Sequence, residues 1–385
     1  MPFRTRVTMA GSLLGAAALM TGMMTAAHSA TDDPLRAEQW GLDQVHAEEA
    51  WLTSTGGGVT VAVVDSGVDL SHPDLRANLV PGATFTGCTE DNPPPCGNGD
   101  YRGPDGENNA DEHGTHVAGI VAAVANNGIG IAGVAPDAGI MPVKVLEDGS
   151  GSFEEIAAGI RWAADHGAQV INLSLGALPG VQALTITGAE TSVTDAIAYA
   201  NSEGAVVIAA AGNSATPVCN TPAWEPGAIC VASTDRNEVK SWFSELPNKP
   251  DLKAVTGPGG AGLVFCEDDI VSTVPVGTGS EACGHSDYDY YAGTSMATPH
   301  VSGVAALLFA QGRTLANVED ALLDTARQPL TSVTGLYSPV YGWGIVDAAA
   351  AVQYAGAASA PTEVKGKGNG KGRTKDKPQG SRRDG

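Results

Sequence analysis

Five strand-length runs with an apolar interior limit what this chain can fold into: Val59–Val64, Met141–Leu146, Gln169–Leu175, Ala205–Ala211 and Ile229–Ser233. A strand that is apolar on both faces has no solvent side, so it belongs inside a parallel sheet covered above and below. Helical patterns lie between the runs. Ser152 and Glu155 are spaced as a capping box, Phe153, Ile156, Ala157 and Ile160 share one face, and Gly167 stops the turn. Val193–Glu203 reads as another helix, stopped by Gly204. Alternation of this kind predicts an α/β three-layer sandwich with a mostly parallel central sheet and right-handed crossovers. One domain, residues 31–356, accommodates it without an internal linker or repeat. The 43% hydrophobic and 17% charged residues suit a substantial core.

The two ends read differently. Residues 1–30 carry Arg4 and Arg6 ahead of an uncharged apolar run, Met9–Ala27, the layout of a secretory signal peptide cut after Ala27 or Ala30, with a membrane anchor as the rival. The expectation is a secreted protein without stable membrane association once the leader is gone. Residues 357–385 hold the Gly/Lys-rich end. From Lys365 onward it has eight basic and two acidic residues and reads as a disordered, solvated tail. Between Thr31 and Pro361 there are 40 acidic and 11 basic residues, a net of −29. That field disfavours nucleic acid and attracts cations. Cys88, Cys96, Cys219, Cys230, Cys266 and Cys283 contain no C-x-x-C pair and fit an oxidising compartment. Six cysteines allow fifteen pairings, of which sequence proximity favours 88–96, 219–230 and 266–283.

Three segments carry chemistry. Asp65, in VAVVDSGVDLSHPDL, ends the first strand at the edge where open α/β sheets place their sites, although an Asp there also serves as a cap or turn residue. His113 opens the small-residue helix of DEHGTHVAGIVAAV, with His116 three residues on. A zinc site would want a third ligand and usually i, i+4 spacing, so a catalytic His113 beside a structural His116 fits better. Ser295, in AGTSMATPHVSGVAALLFAQG, stands at a helix amino terminus, whose N–H groups suit an oxyanion and equally suit an ordinary N-cap.

Taken in order, D-S-G, H-G-T-H-V-A-G and G-T-S-M-A-T-P-H-V-S-G resemble the subtilisin-like serine proteases (subtilases). The resemblance extends through INLSLG, AAAGNS and YGWGIVDAAAAV, and DDPLRAEQWGLDQV is similar to the thermitase branch. It implies a monomeric serine endopeptidase acting on polypeptide, with Ser295 as nucleophile, His113 as general base and Asp65 orienting the imidazole. It further implies Asn213 as side-chain donor to the oxyanion, Ser174, Leu175 and Gly176 as the edge that pairs with substrate, and Ala210 and Gly212 lining the primary specificity pocket. Structural calcium is the implied ion, held by Asp33, Asp74, Asn127 and carbonyls of Ala125, Ile129 and Ile131; no organic cofactor is implied. Asp111 and Glu112, beside His113, favour basic neighbours in the substrate, and the acidic insert around Asp100, Asp105, Glu107 and Asp111 reads first as a solvated loop, with a second ion site as the rival. The family's usual inhibitory pro-region has no room between the expected leader and Asp32, which implies folding or control by another route. Against the rival readings, a silent binding homologue would not need all four polar residues, and no G-x-S-x-G elbow of an esterase occurs.

Overall fold

The computed structural model describes residues 31–106 and 112–356. The expected signal peptide (residues 1–30), the expected disordered tail (357–385) and the acidic positions Glu107 and Asp111 lie outside the described residues. Two short helices, α1 (Trp40–Gln44) and α2 (Ala47–Trp51), precede β1 (Thr60–Asp65). Then come β2 (Ala83–Thr84), α3 (His113–Ala122), β3 (Gly139–Lys144), α4 (Phe153–Asp165) and β4 (Val170–Leu173). They are followed by α5 (Gln182–Ile186), α6 (Ser192–Ser202), β5 (Val206–Ala210), β6 (Ala228–Thr234) and β7 (Ala254–Pro258). Strands β8 (Ile270–Thr273) and β9 (Tyr288–Tyr291) form an antiparallel ribbon, and α7 (Thr294–Phe309), α8 (Leu315–Asp324) and α9 (Ala348–Gln353) close the chain.

The seven-stranded sheet runs β2-β3-β1-β4-β5-β6-β7 with every pair parallel. The pleat divides its side chains between two cores, as a buried parallel sheet requires. Val61 and Val63 face α3 and α7, whereas Ala62 and Val64 face α4 and α6. The sandwich therefore has the three layers expected. Helix α4 begins as its sequence predicts: Ser152 Oγ accepts the Glu155 N–H at 3.1 Å, and Glu155 accepts the Ser152 N–H at 2.8 Å. Such a cap contributes about 1 kcal/mol. Strand β7 is illegible in AVTGP because glycine and proline mask the pattern; proline is tolerated there because β7 is an edge.

The disulfides are Cys88–Cys96, Cys219–Cys230 and Cys266–Cys283, each closing a short loop worth about 3 kcal/mol in the chain-entropy model. Among the described residues no helix is long and apolar enough to cross a membrane. What matters most for chemistry is the order of the strands. The chain lays β3 on one side of β1 and β4 on the other, so the carboxyl end of β1 is a switch point, the crevice where such sheets bind ligands.

Candidate active site

Asp65 is the last residue of β1 and is fully buried. Its Oδ1 accepts the Ser66 N–H at 2.8 Å and lies 2.8 Å from His113 Nδ1. A carboxylate only accepts, so Nδ1 carries the hydrogen and Nε2 is left as the basic nitrogen. Asp65 Oδ2 is buried with no hydrogen-bond partner, which leaves the imidazole as the group that answers this charge.

Ser66 ties the strand to the helix that carries the imidazole. Besides its N–H on Asp65, its Oγ accepts the Gly114 N–H at 3.0 Å, and its carbonyl accepts the Lys144 ammonium at 2.7 Å. Lys144 pairs in register with Asp65 across β1 and β3, is fully buried, also donates to the Leu146 carbonyl at 3.0 Å and meets Glu147 at 3.2 Å. Helix α3 can approach this closely only because residue 114 has no side chain. A Cβ there would come within 2.2 Å of the Gly67 carbonyl oxygen.

Ser295 is the second residue of α7, and a proline sets its surroundings. Pro299 has no N–H for the carbonyl four residues back, which is that of Ser295. The Ser174 hydroxyl takes that carbonyl instead, at 2.8 Å. In return Ser295 Oγ donates to the Ser174 carbonyl at 3.1 Å. Behind them Asn172 donates to Ser174 Oγ at 2.9 Å and accepts from Ser302 Oγ at 2.8 Å. These linked hydrogen bonds hold the backbone at Ser295 against β4.

Asn213 follows Gly212, whose φ of +112° only glycine adopts without strain. Its Oδ1 accepts from both the N–H and the hydroxyl of Thr294, at 2.9 and 3.0 Å. The oxygen is therefore turned to α7, which assigns the amide orientation and leaves the NH₂ for the cleft beside Ser295. Two cavities meet at Ser295. One of about 630 Å³ has His113, Ser174, Leu175 and Gly176 in its wall together with Phe153, Ile156 and Val193. The other, about 200 Å³, is lined by Ala210, Gly212, Asn213, Asn220 and the opposite face of Leu175–Gly176.

His116 is not a metal partner of His113. It is buried, its Nε2 lies 3.0 and 3.1 Å from the Ile270 and Asp289 carbonyls, and its ring stacks on Tyr291. Burial, helped by the nearby His113, pushes its pKa down to about 3. It is a neutral strut between α3 and the β8–β9 ribbon. Gly119 makes room for that ribbon, since a Cβ there would meet the Thr273 and Ser272 hydroxyls at 2.3 and 2.4 Å.

The predicted ion ligands gather around the 125–131 loop. Asp33 accepts the N–H groups of Asn126 and Asn127 at 2.9 and 3.2 Å. Asp74 accepts from Asn127 Nδ2 at 2.7 Å, from the Ile131 N–H at 3.0 Å and from the Tyr288 hydroxyl at 3.2 Å. Ile129 donates its N–H to Asn127 Oδ1 at 2.9 Å, and Ala125 precedes the loop's turn at Asn126. Burial pushes the Asp74 carboxyl up to about 6. No cluster of three or more His, Cys, Asp or Glu among the described residues is arranged to hold a metal.

The sequence model of the subtilase family matches residues 56–344. The chain belongs to the subtilases. It is 41% identical to thermitase of Thermoactinomyces vulgaris over 328 residues, covering 85% of this chain and all of thermitase. It is 39% identical to subtilisin NAT of Bacillus subtilis subsp. natto, covering 82% of this chain and 71% of that one. Among solved structures, a protease of Pseudoalteromonas arctica superposes with a TM-score of 0.69 at 34% identity, covering 84% of this chain and 99% of that one. Fervidolysin of Fervidobacterium pennivorans, a keratinolytic enzyme related to subtilisin, gives 0.66 at 30% identity, covering 84% and 46%. This subtilase is thus a serine endopeptidase. Sequence reasoning overlooked Ser66, Lys144, Asn172, Thr294 and Ser302. Asn172, Thr294 and Ser302 sit inside INLSLG and GTSMATPHVSG, where no local pattern separates them from their neighbours.

Proposed function

We propose that this subtilase is a secreted endopeptidase that opens peptide bonds of unfolded polypeptide with Ser295, His113, Asp65 and Asn213. The observation that carries the reading is the 2.8 Å hydrogen bond between buried Asp65 and His113, in a cavity whose wall also contains Ser295. An extended substrate lies along Ser174–Gly176. The Ser295 hydroxyl turns from the Ser174 carbonyl toward His113 Nε2 and attacks the scissile carbonyl carbon while its proton passes to that nitrogen. Asp65 holds the imidazolium that results. The carbonyl oxygen becomes an oxyanion facing Asn213 Nδ2 and the amino terminus of α7. His113 then gives the proton to the departing amine, leaving an ester on Ser295, and a water molecule deprotonated by His113 releases the acid and restores the hydroxyl. The apolar wall of the 630 Å³ cavity, with Phe153, Ile156 and Val193, accepts a large side chain upstream of the cut.

Calcium fits the Asp33, Asp74 and Asn127 set. Asp33 and Asp74 supply hard oxygens, and Asp74 is a buried carboxylate that a cation would relieve. Asn127 would give its own oxygen by turning its amide, which now donates to Asp74, and the Ala125, Ile129 and Ile131 carbonyls would complete the shell. Its contribution is to stability and none to the chemical steps. Casein hydrolysis together with a serine-directed phosphonate tests the proposal. Both hydrolysis and labelling are expected, and both are lost in a folded Ser295→Ala variant; labelling without proteolysis would mean an esterase. Chelation is expected to lower the melting temperature, and an unchanged melting curve counts against calcium.

A further inference from the structure

Behind the 200 Å³ cavity lies a carboxylate that the mechanism does not use. Glu245 is fully buried, behind Gly212 and Asn220 of the cavity lining. A Cβ on Gly212 would come within 2.5 Å of Asn220 Nδ2, 2.8 Å of Glu245 Cγ and 3.0 Å of its Oε1. Glu245 Oε1 accepts from Asn220 Nδ2 at 3.1 Å and from the Ser214 N–H at 3.2 Å, and Oε2 accepts the Thr216 N–H. None of these donors carries a charge. Lys240, the cation whose ammonium feels Glu245, donates to the Ser241 and Ser244 carbonyls at 2.8 and 2.7 Å. Among the described residues Glu245 has no ion pair.

Asn220 transmits this charge to the cavity. It is buried, it lines the cavity, and its Nδ2 is committed to Glu245. Its Oδ1 accepts from Gln182 Nε2 at 2.8 Å, and a carbonyl oxygen has a second lone pair to offer. Asn220 therefore gives the lining an amide whose oxygen has a lone pair to spare, backed by a buried carboxylate that has no ion pair among the described residues.

We propose that Glu245, acting through Asn220, is a specificity-determining residue that selects a basic side chain, lysine or arginine, on the carbonyl side of the scissile bond. The proposal rests on the reading of the 200 Å³ cavity as the primary specificity pocket. The substrate ammonium donates to Asn220 Oδ1 and brings the positive charge that the Glu245 carboxylate lacks. The acidic surface of the body, net −29, concentrates such substrates as well.

The test compares kcat/KM for two chromogenic peptides that differ only in Lys or Met at that position. The wild type should favour Lys on the order of tenfold, the size expected for one screened charge at short range. Glu245→Gln, which keeps the size and supplies an acceptor, should bring the Lys/Met ratio near one, and Glu245→Asp should restore part of it. A ratio removes any general loss caused by loosening the Ser214–Thr216 loop, and the wild-type ratio alone decides if Glu245→Gln fails to fold. Equal or better cleavage after Met by the wild type overturns the proposal and leaves the endopeptidase reading intact. An unchanged ratio in Glu245→Gln overturns it too, making the carboxylate a loop anchor only. No hydrolysis of either peptide overturns both readings.

Discussion

Acid should unfold this protein through two histidines far from any solvent. His116 and His300 are buried, and burial pushes their pKa values down to about 3 and about 4 from 6.5. His116 Nδ1 has no partner, so a proton added there would be a buried charge with nothing to answer it. The sign follows from linkage. A histidine whose folded pKa is lowered binds fewer protons folded than unfolded, so its neutral form is no obstacle above pH 6.5, and stability falls as pH drops below that value. At pH 5 the unfolded chain gains about 2 kcal/mol per histidine, about 4 kcal/mol together, from proton binding that the folded chain refuses. That is a large share of a typical net stability of about 5–15 kcal/mol. Urea unfolding at pH 7 and pH 5, in the Ser295→Ala background to prevent self-digestion, measures the loss. His116→Gln retains an N–H donor for the Ile270 carbonyl and removes the titration. Its loss between the two pH values should be smaller than that of the parent by about 2 kcal/mol. Carboxylates common to both proteins cancel in that difference. An equal loss in both would refute the assignment of acid lability to His116.

Asn213→Ala should lower kcat about 10²–10³-fold with little change in KM, because the amide answers charge that exists only in the transition state. That size is the one known for the equivalent donor of subtilisin, a relative, so stopped-flow turnover tests the kcat selectivity, and a loss confined to KM would refute it. Gly114→Ala should destabilise the protein by about 1–3 kcal/mol and reduce turnover, since the new methyl drives the start of α3 off Gly67 and moves His113 with it. Wild-type melting and wild-type kcat in that variant would show that the close approach is dispensable.

The buried strands were legible because a parallel sheet covered on both faces leaves its mark as mostly apolar runs, and β1, β3, β4, β5 and β6 all carry it. Strand β7 is masked by Gly257 and Pro258, and β2, with two residues, is too short to show a pattern. The residues proposed to touch substrate lie in recognisable sequence words. The residues that hold them were not legible in this way. Lys144 reads in sequence as a surface charge at a strand end, and only the register that places it beside Asp65 shows a buried ammonium clasping Ser66. Pro299 looks like a helix breaker, yet its missing N–H is what frees the Ser295 carbonyl for Ser174. Glu245 gives no sequence signal, because its meaning comes from the approach of the 212–220 loop, which is set by tertiary packing and not by local pattern.

Proteolysis by this site requires one hydroxyl to become a nucleophile by giving its proton to His113. Intact-mass analysis after treatment with a serine-directed phosphonate, followed by peptide mapping, tests this directly in the wild type, Ser295→Ala and His113→Ala. A single adduct on Ser295 in the wild type, with caseinolysis lost in step, and no adduct in either variant is the predicted result. Labelling at another residue, or casein cleavage by Ser295→Ala at the wild-type rate, would contradict it.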